Sequence, residues 1–221
     1  MKRFKFWLPI ICVALLFSSC ILKSLYPFYT PDLLCYEPTL LGNWEDSEQG
    51  HWEILSGKDD LFNNPPKQMD EEFYDKYIKP YENGYIVNYT KDSITTYLGA
   101  MSFKINNQLF LDFVAFETDN QDSPALNLYN YHRINFHSLA KLDISSEKKL
   151  SIKWLPEDKV SDLIEEQKIK IKHEILVGGP KRGDILITAP SEELVKFITK
   201  YMKSKDSDKW KTDVEFELVR K

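Results

Sequence analysis

The sequence predicts a mainly β domain of the α+β kind: an antiparallel barrel or strongly curved sheet with two or three short helices. Three observations carry this. Short runs with period-two apolar alternation recur along most of the chain, separated by turn residues. Aromatic residues make up 14% of the chain, with Tyr and Phe, both strand formers, dominating. Helical periodicity is confined to brief segments, clearest at Leu194, Phe197, Ile198 and Tyr201.

In chain order, Leu40-Leu41-Gly42-Asn43-Trp44 opens a first strand, after an irregular Leu/Tyr/Pro-rich lead-in at 25–39, and His51–Leu55 alternates as a second. Residues 57–83 are charged and Pro-containing, and Met69, Phe73 and Tyr77 mark one face of a short helix starting near Asn64-Pro65. This insertion either packs back on the sheet or forms a lid over a ligand cavity. Strands are expected at Tyr85–Thr90, Ile94–Ile105 and Leu109–Phe116, with turns at Lys91-Asp92-Ser93 and Asn106-Asn107. Tyr131–Ile144 and Leu150–Leu155 come next as strands, then Pro156–Gln167 as a helix with Val160, Leu163 and Ile164 inward. Ile169–Val177 and Asp184–Thr188 read as extended, Ser191–Lys203 as a helix with Glu192 and Glu193 in its first turn, and Val214–Arg220 as a last strand.

The first twenty residues have a different character. Lys2, Arg3 and Lys5 precede an apolar stretch from Phe6 to Phe17, and Ser18-Ser19-Cys20 ends it. A basic start, a short apolar run and small residues before a cleavage point are the parts of a secretory signal. The apolar run is too short for a transmembrane helix, which takes about 20 residues. With cysteine next, Phe17-Ser18-Ser19-Cys20 resembles the lipobox of a bacterial lipoprotein signal, although Phe17 stands where leucine is usual. That resemblance implies cleavage before Cys20 and lipidation of Cys20 by a diacylglyceryl group, usually with a further acyl chain. An ordinary signal or an uncleaved anchor are the alternatives. The residue after the cysteine is Ile21, not aspartate, and no acidic residue stands close behind it. By resemblance to lipoprotein sorting, this implies an outer membrane facing the periplasm ahead of the inner membrane or the cell surface. The expected organisation is a signal at 1–19, a lipidated lead-in at 20–39 and one domain at 40–221.

Composition narrows the partners. The formal net charge is −5, and the signal holds three of the 29 basic residues and no acid, so the mature chain is more acidic still. Without a basic cluster, nucleic acid is excluded as a partner. Cys12 lies in the signal and Cys20 is the lipid site, which leaves Cys35 with no disulfide partner. It reads as a buried thiol, with a nucleophile role the alternative.

Two resemblances add to this. Ser24-Leu25-Tyr26-Pro27-Phe28-Tyr29, Leu40-Leu41-Gly42-Asn43-Trp44 and Trp52 together resemble a group of uncharacterised bacterial lipoproteins, as do Leu109-Phe110-Leu111-Asp112 and Ile185-Leu186-Ile187-Thr188-Ala189. That group brings no activity with it. Gly42-x-Trp44 on the first strand, with Arg220 near the end, is also similar to lipocalins and other calycins. The resemblance implies a barrel whose bottom is closed by Trp44 and covered by Arg220.

No motif for a nucleophile, a phosphate loop or a metal is present, and His51, His132, His137 and His173 have no ligand spacing. No catalytic residue, metal or cofactor is assigned. Asp112 is the one acid in a strand that is apolar on both faces, so it is expected either beside His132 or Arg133 or in a cavity. For a hollow barrel the expected lining is Asp112, Phe110 and Trp52, with Phe73 and Tyr77 from the lid. The first functional expectation is a membrane-anchored protein that binds an apolar small molecule or lipid. The alternative is a protein-interaction scaffold or assembly lipoprotein of the envelope. A third is an envelope hydrolase using Asp112 and a nearby histidine.

Overall fold

The computed structural model describes residues 21–58, 79, 82–115, 132, 134–176 and 184–221. Among the described residues eleven strands run in chain order: β1 (Lys23–Ser24), β2 (Gly42–Asp46), β3 (His51–Ser56), β4 (Tyr85–Lys91), β5 (Ile94–Ile105), β6 (Gln108–Ala115), β7 (His137–Ser146), β8 (Lys149–Trp154), β9 (His173–Leu176), β10 (Asp184–Ile187) and β11 (Glu215–Arg220). Helix α1 spans Glu157–Glu165 and helix α2 spans Ser191–Lys203.

Strands β2 to β8 pair antiparallel in sequence order. β11 then pairs with both β8 and β2 and closes an eight-stranded antiparallel barrel. The hairpins arise from local chemistry. Asp92 and Ser93 both take positive φ (49° and 65°), as a two-residue I′ turn requires, and Lys91 pairs with Ile94 across it. Asn106, at φ 53°, serves the β5–β6 turn.

Three further strands continue the sheet beyond the barrel. Where β8 ends, β1 pairs with the start of β7, with β10 parallel to β1 and β9 antiparallel to β10. The wall of β5, β6 and β7 therefore has two buried faces and two cores. Inside the barrel pack Trp44, Trp52, Tyr85, Leu111, Phe113, Leu142, Ile152, Trp154 and Leu218. Outside it, Phe103, Phe110 and Leu139 pack against Leu22, Phe28, Val160, Ile187 and the α2 stripe Leu194, Phe197, Ile198 and Tyr201. This explains a β6 that is apolar on both faces.

Several boundaries differ from expectation. β7 begins at His137, where its pairing with β6 and β1 begins among the described residues, rather than at the expected Tyr131. β9 begins at His173, not Ile169: the chain after α1 is tied back by Lys168 and Ile169 N–H bonds to the Leu163 carbonyl (2.9 and 3.2 Å). The lead-in is part of the fold, with Leu22 and Phe28 fully buried and two short 3-10 turns at Pro31–Leu33 and Pro38–Leu40. The expected helix at Met69, Phe73 and Tyr77 lies outside the described residues, as do the expected signal and Cys20.

Candidate functional site

The end of the barrel where β2 begins and β11 ends is closed by one arginine. Trp44 is fully buried and gives its indole N–H to the Leu40 carbonyl at 2.8 Å. The Arg220 guanidinium lies over the Trp44 ring, 4.1 Å from its centroid. It donates to three backbone carbonyls: Nη1 to Leu41 at 2.7 Å, Nη2 to Thr39 at 2.6 Å and Nε to Glu147 at 2.8 Å. Gly42 makes room for it. Its φ is +116°, and a Cβ there would stand 2.8 Å from Arg220 Nη1. Gly42, Trp44 and Arg220 thus form one physical unit.

The barrel interior is packed. Trp52 meets Tyr89 (4.7 Å between centroids) and Phe216 (4.9 Å), while Trp154 meets Phe216 (5.9 Å) and Phe113 (4.9 Å). Lower in the barrel, the gap between Leu40, Tyr85, Leu111 and Ile152 amounts to about 10 Å³, room for one water at most. Two polar groups sit among these side chains with partners satisfied. Asp46 is buried and accepts from Glu48 N–H (2.9 Å), Gly50 N–H (2.8 Å) and the Trp52 indole (3.1 Å). The Tyr85 hydroxyl accepts from Glu37 N–H at 2.6 Å and lies 3.1 Å from Ser102 Oγ. Burial, against the pull of these bonds, pushes its ionisation up to about 12.

Asp112 and Phe110 point the other way, into the outer core. Phe110 stacks on Phe103 at 5.5 Å. Asp112 is 2% exposed, its Oδ1 lies 2.6 Å from His137 Nδ1, and its Oδ2 accepts from Phe28 N–H at 2.8 Å. Burial raises the Asp112 carboxyl above the usual carboxylate range, with His137 and Phe28 N–H pulling the other way. Its histidine is His137, which β6–β7 pairing sets opposite Val114 and diagonal to Asp112, rather than the His132 or Arg133 expected from sequence. The arrangement fastens the lead-in to the barrel wall. Trp52 lies inside the barrel, so Asp112, Phe110 and Trp52 do not meet in one cavity; Phe73 and Tyr77 lie outside the described residues.

Cys35 is half-buried and clamped through its backbone: its N–H bonds the Ser102 carbonyl at 3.0 Å and its carbonyl accepts from Ser102 Oγ. Burial pushes the pKa of its thiol up, so the neutral form is favoured. Among the described residues no group of three or more His, Cys, Asp or Glu is placed to hold a metal.

One open cleft of about 860 Å³ runs between α1, the chain after it and α2. Leu163, Ile169, Phe197 and Tyr201 contribute its apolar surface, and both lysines (Lys159, Lys170, Lys196, Lys200) and acids (Asp162, Glu166, Glu193, Asp206) stand around it. Lys168 is paired with Glu166 at 2.7 Å. Sequence reading found the α2 stripe but not this cleft, because its two sides are brought together by tertiary packing. His137 and Asp46 were missed as well. The strand register was the signal for the first, and an Asp four residues before a Gly for the second.

Comparison of the chain with protein-family models, curated proteins and solved structures finds no match to any of them.

Proposed function

We propose that this chain is a lipid-anchored protein of the bacterial cell envelope that binds a partner protein through its outer surface, with the barrel as a solid support. The anchor part rests on the signal and lipobox ending at Cys20, and the outer membrane facing the periplasm is its expected place. The binding part is carried by one observation, the filled barrel. The gap inside it among Leu40, Tyr85, Leu111 and Ile152, with about 10 Å³ of free space, is far below the roughly 300–1,000 Å³ of small-molecule sites. Eight strands enclose an interior that side chains can fill by themselves.

The cleft between α1 and α2 supports a second reading. At about 860 Å³ it falls within the size range of ligand sites. Apolar walls ringed by both lysines and carboxylates suit an amphipathic ligand, such as a long-chain carboxylate whose head group meets Lys196 and Lys200. In that reading the ligand of a small-molecule-binding lipoprotein sits outside the barrel.

The test is purification of the protein from its host membranes in mild detergent, then native mass spectrometry and solvent extraction. A protein partner at fixed stoichiometry, with no extractable apolar compound, is the expected result. A stoichiometric organic ligand and no protein partner overturns it. Loss of that ligand in Lys196→Glu/Lys200→Glu then assigns it to the cleft.

A further inference from the structure

β9 is the one strand with a single neighbour among the described residues: the sheet runs β7–β1–β10–β9 and ends there. The Thr188 N–H bonds the Lys172 carbonyl at 2.9 Å, one step beyond the Ile187–His173 pair, so the Lys172 backbone faces β10. Backbone groups alternate in direction along an antiparallel strand. The Glu174 backbone therefore also faces β10, while the N–H and C=O groups of His173 and Ile175 point outward. Beside this edge the Ile175 side chain is 63% exposed. An open strand edge is a template for one more strand.

We infer that a second copy of this chain supplies that strand, β9 against β9, antiparallel about a twofold axis at His173. Charge and register pick this axis. Lys172 and Glu174 are both exposed and lie on one face of the strand. An axis at either of them sets like charges directly opposite, which is unfavourable. An axis at Ile175 sets Glu174 opposite Leu176. The axis at His173 sets Lys172 opposite Glu174 twice, in the non-hydrogen-bonded pairs whose side chains stand closest. It also brings outward-facing backbone to outward-facing backbone, with His173 opposite His173 and Ile175 opposite Ile171 of the second copy. Ile171 belongs to the outer core, so the exposed isoleucine gains an apolar neighbour there. The Ile171 carbonyl lies 2.8 Å from the His173 Nδ1 of its own chain, and its second lone pair is left for the Ile175 N–H. Five residues a side is a small contact beside the roughly 1,000 Å² of a stable interface, so the dimer forms and dissociates with concentration. It needs neither the lipid anchor nor the α1–α2 cleft.

The experiment is sedimentation velocity on the full chain in excess mild detergent, from about 1 to 300 μM, where contacts of this size associate. The parent is expected to pass from monomer to dimer within that range. Glu174→Lys sets lysine opposite lysine and is expected to weaken the dimer about tenfold or more. Lys172→Glu/Glu174→Lys exchanges the two charges and is expected to restore it. Ile175→Pro removes an N–H that β10 does not use, so it is expected to keep the circular dichroism of the parent and lose the dimer. A parent that stays monomeric up to about 300 μM overturns the proposal. A dimer that Glu174→Lys leaves intact overturns it too, and a charge exchange that fails to restore the dimer overturns the axis at His173. The two charge variants alter only exposed side chains, so they decide the matter even where Ile175→Pro does not fold.

Discussion

Removing the Arg220 guanidinium is the most direct perturbation of the closed barrel end. Arg220→Ala deletes three hydrogen bonds to the carbonyls of Thr39, Leu41 and Glu147 and the contact over Trp44. Hydrogen bonds from a charged group contribute about 1.5–3 kcal/mol each when buried. Arg220 is half-buried, and the freed carbonyls regain water, so about 1 kcal/mol each is the reasonable share. The ring contact adds about 0.5–1 kcal/mol, giving a loss of about 3–4 kcal/mol. Arg220→Lys keeps the charge but loses the planar fork and is expected to cost roughly half as much. Gly42→Ala acts on the same unit from the other side. It places a side chain at φ +116° and a Cβ 2.8 Å from Nη1. Backbone strain of that kind costs about 1–3 kcal/mol, and displacement of Arg220 adds to it. In an Arg220→Ala background only the strain remains. The assay is equilibrium urea unfolding monitored by tryptophan fluorescence, on both single variants and the double. Coupling of about 2 kcal/mol is expected. Additivity within about 0.5 kcal/mol, or an Arg220→Ala cost below about 1 kcal/mol, refutes the reasoning.

Ile152→Ala, at a fully buried position inside the barrel, is expected to cost about 3 kcal/mol. It is also expected to create a dry void that takes up benzene, which calorimetry detects in the variant and not in the parent. Asp112→Ala leaves Phe28 N–H and His137 without their buried partner and is expected to cost about 3 kcal/mol in urea unfolding at neutral pH. The Asp112 carboxyl ionises above its unfolded value. Its contribution is therefore full below the unfolded value and falls as pH rises through the folded one. The stability of the parent relative to Asp112→Asn is expected to decline on leaving the acid range; a flat difference from pH 3 to 8 contradicts this. Tyr85→Phe removes bonds to Glu37 and Ser102 and is expected to cost about 1–2 kcal/mol at pH 8. With Tyr85 ionising near 12 when folded, that advantage disappears as pH climbs from about 10; urea midpoints from pH 8 to 12 measure it.

Period-two alternation located β3, β4, β5, β6 and β8 to within two residues, and the 3.6-residue stripe located α2 at its observed bounds. Both signals are local: in β3, β8 and α2 one face packs in a single core, and β5 and β6, buried on both faces, are bounded by turn residues. The pattern failed where position depends on a distant partner. β1 has only two residues and exists because the end of β8 leaves the start of β7 unpaired. β7 could not be bounded from its own sequence, since residues 131–136 are as rich in apolar side chains as residues 137–142. Gly42, Trp44 and Arg220 were legible through a resemblance, and the physical reason for the glycine is the guanidinium beside it. Asp112 was legible as unusual. Its place was not, because alternation on β6 separates two faces without saying which one lines the barrel.

The same limit governs the question of function. An alternating strand set predicts a barrel with an apolar inside, and it is silent on whether that inside is hollow. Volume decides. Trp52, Tyr85, Phe113 and Trp154 all project inward from a ring of only eight strands, and four large aromatics leave little lumen in a barrel of that size. Substitution toward small residues at these positions, not a change of pattern, is what separates a carrier from a solid support. A solid barrel has to act through its outside, where the cleft between α1 and α2 is open. On the proposed reading, partner contacts are expected around that cleft, and substitutions at Lys196 or Lys200 are expected to weaken partner binding without changing membrane attachment. Loss of attachment in those variants, measured by membrane fractionation, would break the link between the filled barrel and the surface that it leaves free.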